Sequence, residues 1–164
     1  MTPPGRISIR PATIADHGRI NALAEQMDRL HRDALPGRFR RPDGPNRARP
    51  YVESLIADPD TFLAVAELDG VVAALINSGL DRTPDIPVKP PCRFLRIRGL
   101  IVDEAHRRKG LGRALATAAM EWAAARGATE VQLSVYDFNE TAAAFYHGLG
   151  FAPLSHRLVR PIAP

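Results

Sequence analysis

Apolar and polar positions alternate in "RISIRPA", which places Ile7 and Ile9 on one face and predicts a first strand. The period then lengthens. Ile14, Ile20, Leu23, Met27 and Leu30 keep helical spacing to about Leu35, with Thr13 as N-cap and Asp16 as its partner. Pro36 and Gly37 end that helix, and a short one follows near Pro50 to Ala57, stopped at Asp58-Pro59. "TFLAVAEL" and "VVAALIN", joined by Asp69-Gly70, predict a β-hairpin, because Asp-Gly tolerates the positive φ angles of a tight turn.

The four prolines of "SGLDRTPDIPVKPPC" predict a long loop, and "RFLRIRGLIVD" returns to strand. Gly99 inside that strand marks a bulge or a close backbone approach. A glycine-punctuated turn then leads into an alanine-rich helix closed by Gly127. "TEVQLSVY" is a further strand, so a strand–helix–strand crossover joins two parallel strands. A short helix capped by Asn139 follows, and "FAPLSHRLVR" predicts one or two final strands. The expected order is β-α-α-β-β-β-α-β-α-β, one mixed α/β domain over residues 1–164.

Composition narrows the class without naming a chemistry. At 45% hydrophobic and 24% charged residues, the chain is an ordinary globular sequence with no apolar run of membrane-spanning length. Its start, "MTPPGRISIR", lacks the apolar core of a secretory leader. Cys92 is the single cysteine and no histidine pair has metal-ligand spacing, so the expectation is a cytoplasmic protein with no disulfide, metal or membrane partner. The net charge of +4 equals the surplus within His31 to Pro50, where six arginines face only Asp33 and Asp43. Basicity so localised, without a binding motif or interleaved aromatics beyond Phe39 and Tyr51, argues against a nucleic-acid partner.

The candidate chemistry lies in "RRKGLGR". Arg107, Arg108, Lys109 and Arg113 crowd the start of a helix, where the dipole already disfavours cations. The first helical turn has unpaired N–H groups, and Gly110 and Gly112 have no side chains to screen them. A diphosphate cradle and a plain tight turn both fit this pattern taken alone. A P-loop does not, since no Ser or Thr follows the Gly-Lys position. The dinucleotide fingerprint does not either, for want of a third glycine.

Taken together, "GLIVDEAHRRKGLGRAL" and "VQLSVYDFNETAAAFYHGLGF" resemble the GNAT family of acetyl-CoA-dependent N-acyltransferases. The likeness is close from Arg96 to Phe151, includes the hairpin "FLAVAELDGVVAALI", and before Asp58 lies only in the order of elements. Arg107 to Gly112 fits the family signature of Gln or Arg, two residues, Gly, one residue, then Gly or Ala. Asn139, Tyr146 and Gly150-Phe151 fit its second signature. The resemblance implies the GNAT acyl-CoA N-acyltransferase fold, a central mixed β-sheet with splayed parallel strands flanked by helices.

It also implies residue roles, with acetyl-CoA as acyl donor and a primary amine attacking directly in a ternary complex. The backbone of Leu100, Ile101 and Val102 would bond the pantetheine arm. The signature Arg107, Arg108, Lys109, Gly110, Leu111, Gly112 and Arg113 would bind the cofactor, the N–H groups from Arg108 to Arg113 holding its pyrophosphate. Asn139 would touch the pantetheine, and Tyr146 would give the leaving thiolate its proton. A phenol that packs the helix and only hydrogen-bonds the sulfur is the alternative for Tyr146.

Many relatives carry a Glu base where this chain has Ser134 or, on the central strand, Arg96 and Arg98. Serine is a poor base and arginine is none. Ordered water is the expected proton acceptor, with Asp28, His31, Asp137 and His147 as the other groups in question.

In this fold the first two helices and their connection frame the acceptor groove. Arg38, Arg40 and Arg41 there would favour a small-molecule amine with an anionic group, such as an amino acid or an amino-sugar phosphate. A solvated loop is the competing account, since the chain uses 20 Arg to two Lys throughout. Peptide N-acetylation, a silent acyl-CoA-binding module and a homodimer are left open.

Overall fold

A computed structural model describes residues 5–162; residues 1–4, where a secretory leader is not expected, and residues 163–164 lie outside it. The chain divides into two compact units, one ending at Ser134 and one beginning at Val135.

The first unit is a five-stranded sheet in sequence order: β1 (Ile7–Pro11), β2 (Thr61–Leu68), β3 (Val71–Arg82), β4 (Arg93–Val102) and β5 (Glu130–Gln132). Neighbours are antiparallel except β4 and β5, the parallel pair expected from the crossover. Three helices belong to this unit: α1 (His17–Ala34), α2 (Arg49–Ala57) and α3 (Leu111–Ala124). The second unit carries α4 (Glu140–His147).

Both sheet faces are covered. Ala12, Ile20, Leu23, Val52, Leu63, Val65, Leu75 and Ile101 form one cluster, which seats α1 and α2. The residues alternating with these, Ala64, Ala66, Ala74 and Ile76, are also buried, and α3 packs on β2, β3 and β4 through Leu111, Leu115 and Ala119. Burying each of those leucines contributes roughly 2 kcal/mol.

Local punctuation follows the sequence. Asp69 and Gly70 have φ of 53° and 82°, the pattern of a type I′ hairpin. At the end of α3, the Ala128 N–H reaches the Ala123 carbonyl at 3.1 Å and the Gly127 N–H that of Ala124 at 3.0 Å. That double bond pattern around a left-handed glycine is a Schellman closure.

Three strand expectations change. β3 runs on to Arg82, because its second half pairs with β4 from Arg93 to Ile97, so the proline-rich loop shrinks to residues 83–92. Thr83 N–H to Cys92 C=O, at 2.9 Å, closes that loop. β5 keeps only Glu130–Gln132 of "TEVQLSVY". "FAPLSHRLVR" forms no strand; Leu154, Leu158 and Val159 are exposed, with no sheet edge supplying hydrogen bonds among the described residues.

The bulge expected at Gly99 is present, and its extra residue is Arg98. Asn77 pairs with Gly99, but Ser78 pairs with Ile97, leaving Arg98 unmatched. Pairing transfers the parity of β4 across this point. Leu95 and Ile97 share the face of Ile76 and Ser78, whereas Gly99 and Ile101 share that of Leu75 and Asn77.

Candidate active site

The chain leaves β4 at Asp103 and turns through residues 104–110 into α3. Arg108 and Gly110 both have positive φ, 63° and 86°, so successive amides tilt into a concave nest. Arg108 has a Cβ and pays about 1 kcal/mol or more for that conformation, a strain characteristic of functional turns. Among the described residues, no backbone carbonyl pairs with the N–H groups of Arg108, Lys109, Gly110, Leu111 or Gly112. Arg107, Arg108, Lys109 and Arg113 are exposed around them, while Leu111 and Gly112 are buried. The turn thus offers N–H groups and the positive end of a 14-residue helix to an anion, with Arg108 and Lys109 exposed beside them and Arg107 held by Glu104 at 3.8 Å.

Asp103 holds this turn in place. Its carboxylate is paired with Arg19 of α1, receives Gln26 Nε2 at 3.3 Å and caps the turn by accepting Ala105 N–H at 3.3 Å. His106 Nδ1 lies 3.4 Å away, so this histidine is half-buried rather than solvated. Burial pulls the Asp103 carboxyl upward, but these bonds outweigh it and hold it at about 2. Gln26 Oε1 also accepts Glu104 N–H at 3.0 Å.

β5 pairs with β4 only opposite Phe94, Leu95 and Arg96. From Ile97 to Val102, β4 hydrogen-bonds β3 on one side and has no strand on the other among the described residues. Alternate backbone groups of Leu100, Ile101 and Val102 therefore point into a gap, where an extended ligand can be bonded as a strand would be.

On the α1/α2 face of the same bulge is a cavity of about 130 Å³. Ile20, Met27, Val52, Leu55 and Leu63 make apolar walls, and Tyr51 stands at one side. Gly99, Asn77 and Arg98 form the end nearest the bulge. Asn77 Oδ1 is buried without a hydrogen-bond partner, at a cost of about 1–3 kcal/mol. Arg98 has no carboxylate within ion-pair distance among the described residues, only Thr61 Oγ1 at 3.4 Å. Arg47 also lines the cavity, but Asp28 holds its guanidinium at 3.0 Å. Among the described residues, no carboxylate or imidazole lines the space.

The arginine-rich stretch is placed differently from expectation. Arg32 pairs with Glu25, Arg47 with Asp28 and Arg49 with Glu53, which offsets three of its four surplus charges with acids lying outside it. Asn46 and Arg47 bind the stretch to α1 through Asn21, Glu25 and Asp28. Arg38, Arg40 and Arg41 are exposed, and the last two line a separate, shallower groove with Asp28 and Asp43. They do not line the cavity at the bulge. Asp28 is committed to Asn46 and Arg47, and His31 Nδ1 is 2.8 Å from the Met27 carbonyl oxygen, so neither stands at the cavity as a base.

In the second unit, Asn139 Oδ1 accepts Ala142 N–H at 3.1 Å and caps α4, leaving only its amide N–H groups for a ligand. Tyr146 packs edge-on against Phe145 and Phe151, at ring distances of 5.1 and 5.4 Å. Burial pushes its phenol up to about 12, so it is fully protonated at neutral pH. His147, on the next position of α4, is exposed.

Sequence reasoning did not assign Asn77, Tyr51 or Arg98 to the acceptor side. The one signal pointing there was Gly99, whose bulge brings Arg98 out of register. Among the described residues, no group of three or more His, Cys, Asp or Glu could hold a metal, and no helix is long and apolar enough to cross a membrane.

Comparison with known proteins shows the family and the fold. Residues 24–151 match the model of the Acetyltransferase (GNAT) family. Over 66 residues, 40% of the chain, the sequence is 38% identical to Acetyl transferase GW6a of Oryza sativa subsp. japonica. The matched stretch spans 16% of that relative's own length. A mutant of the BH1408 protein from Bacillus halodurans superposes with a TM-score of 0.90 at 27% identity, over 95% of this chain and 99% of that one. The protein AAC(6')-Iy, solved in complex with the bisubstrate analog CoA-S-monomethyl-acetylneamine, has the same fold, with a TM-score of 0.74 at 16% identity over 97% and 99% of the two chains.

Proposed function

The chain belongs to the acetyltransferase (GNAT) family, and we propose that it transfers an acetyl group from acetyl-CoA to the primary amine of a small molecule bearing an anionic group. The observation that carries this reading is the junction at the β4 bulge. An anion nest and a free strand edge lie on the donor side of it, and a largely apolar cavity lies on the other.

The N–H groups of Arg108 to Gly112 hold the pyrophosphate, with Arg107, Lys109 and Arg113 adding charge around it. The backbone of Leu100 to Val102 bonds the pantetheine arm, and the family resemblance assigns the amide of Asn139 to the same arm. The thioester supplies an activated carbonyl next to the bulge. A β4 N–H near Leu100 stabilises the oxyanion as the amine nitrogen attacks. The new C–N bond forms as C–S breaks, the amine gives its proton to water, and the Tyr146 phenol donates to the leaving sulfur. A phenol near 12 is a weaker acid than a thiol of ordinary pKa, about 8.5, so Tyr146 acts mainly as a strong hydrogen-bond donor during C–S cleavage.

One observation favours a second reading, a catalytically silent acyl-CoA-binding module: the cavity has no carboxylate or imidazole to serve as base. Thiol release from acetyl-CoA across a panel of amines separates the two. Release that depends on amine supports transfer; tight acetyl-CoA binding with silence throughout the panel establishes the module.

A further inference from the structure

Two groups at the bulge end of the cavity have unmet bonding capacity and stand at a fixed spacing. Asn77 and Gly79 are two residues apart on β3, about 6.6 Å along the strand and on one face. Asn77 carries a buried carboxamide oxygen without a hydrogen-bond partner, and over Gly79 lies the Arg98 guanidinium, within 3 Å of where a Cβ would stand. The Asn77 side chain lines the cavity. Beyond them, toward α1 and α2, the walls are aliphatic.

We infer that this cavity selects an α-amino acid with an apolar side chain. Arg98 binds the α-carboxylate, Asn77 receives the α-amine beside the bulge, and the aliphatic hollow between Ile20, Val52 and Leu63 takes the side chain. The inference rests on the transferase reading above and sharpens it. The anion is read by one arginine displaced from β4 by the bulge, not by the arginine-rich connection between α1 and α2. A guanidinium fork matches a carboxylate in two parallel bonds, and no carboxylate of the described chain occupies it. The apolar walls give no counter-charge to a polycationic acceptor, and Arg98 repels one.

The test measures thiol release from acetyl-CoA with leucine, leucinamide, isopentylamine, spermidine and an aminoglycoside. The first three share one apolar group and differ in carrying a carboxylate, a neutral amide or neither. The expected result is a kcat/KM for leucine about 10- to 100-fold above that for leucinamide, the size of a charge-assisted pair of bonds. Arg98→Gln brings that ratio near one by raising KM for leucine, while turnover of leucinamide persists and shows that the variant is folded. Gly79→Ala, which expels the guanidinium without removing it, has the same effect and stands in should Arg98→Gln fail to fold. Equal use of leucine and leucinamide by the unaltered protein overturns the inference, as does a ratio unmoved in both variants. Release with spermidine or the aminoglycoside alone overturns it together with the anionic-acceptor part of the reading above, and leaves acetyl transfer to an amine intact. Silence with every amine overturns both.

Discussion

The guanidinium of Arg98 lies on the backbone of Gly79: a Cβ at position 79 would stand 2.7 Å from Nη2 and 2.8 Å from Nη1. The bulge makes this contact, because Arg98 is the one residue of β4 without a partner on β3. The obstruction is the far end of a flexible side chain, so the fold can absorb it. Gly79→Ala should therefore cost less than about 1 kcal/mol of stability, measured by urea unfolding. Acceptor preference should change far more than stability, since the methyl group displaces the guanidinium from the cavity mouth.

Acid should loosen the molecule in a defined window. The two hydrogen bonds from Arg10 hold the buried Asp16 carboxyl at about 2, against the burial that raises it. At Asp103 burial likewise raises the carboxyl, and Arg19 and Gln26 more than reverse it. Folded values below the unfolded ones mean stabilisation that is complete above about pH 4 and lost as pH falls toward 2. Each carboxylate contributes about 2 kcal/mol on this basis. Asp103→Asn should lower Tm by roughly 4–8 °C at pH 7 and leave it nearly unchanged at pH 2. An equal loss at both pH values would remove the electrostatic account.

Gly110 combines a φ of 86° with a place at the mouth of the nest. Gly110→Glu adds backbone strain of about 1 kcal/mol and puts a carboxylate where the pyrophosphate is proposed to sit. Acetyl-CoA binding measured by calorimetry should fall by more than about 100-fold. Unchanged binding would sink the cradle assignment.

Tyr146→Phe should lower kcat about 10- to 100-fold with little change in KM, the size of a lost hydrogen bond to a charged leaving sulfur. Because burial pushes the phenol up to about 12, Tyr146 should produce no alkaline fall in rate near its ordinary value of 10. With no base at the cavity, the rising limb should follow the pKa of the amine itself. Profiles taken with two amines of different basicity check this: a limb at the same pH for both would reveal an enzyme base.

Much of the proposed donor side could be placed from local sequence because its elements are local. Gly110, the basic turn, the start of α3 and the Asn139 cap each depend on residues within one helical turn of one another. Hydrophobic period placed α1, α3 and the β2–β3 hairpin for the same reason.

Strand ends were less legible. β3 extends through Arg82 because β4 offers it hydrogen bonds, and β5 stops at Gln132 where pairing with β4 ceases. Neither limit is written in the strand's own residues. The acceptor side was least legible of all. Six arginines in one stretch looked like an anion site, yet three find carboxylates at Glu25, Asp28 and Glu53. Arg98 entered only as a central-strand residue where many relatives carry a Glu base, a role an arginine cannot fill.

The sequence by itself determined which segments become helix or strand and where a phosphate-sized turn would lie, since propensity, capping and glycine φ are properties of neighbours along the chain. Only the tertiary structure decided which charges are neutralised and which single arginine is left unpaired at the cavity. Ion pairing depends on carboxylates brought together from distant segments, and a one-residue bulge reverses the face of every side chain that follows it.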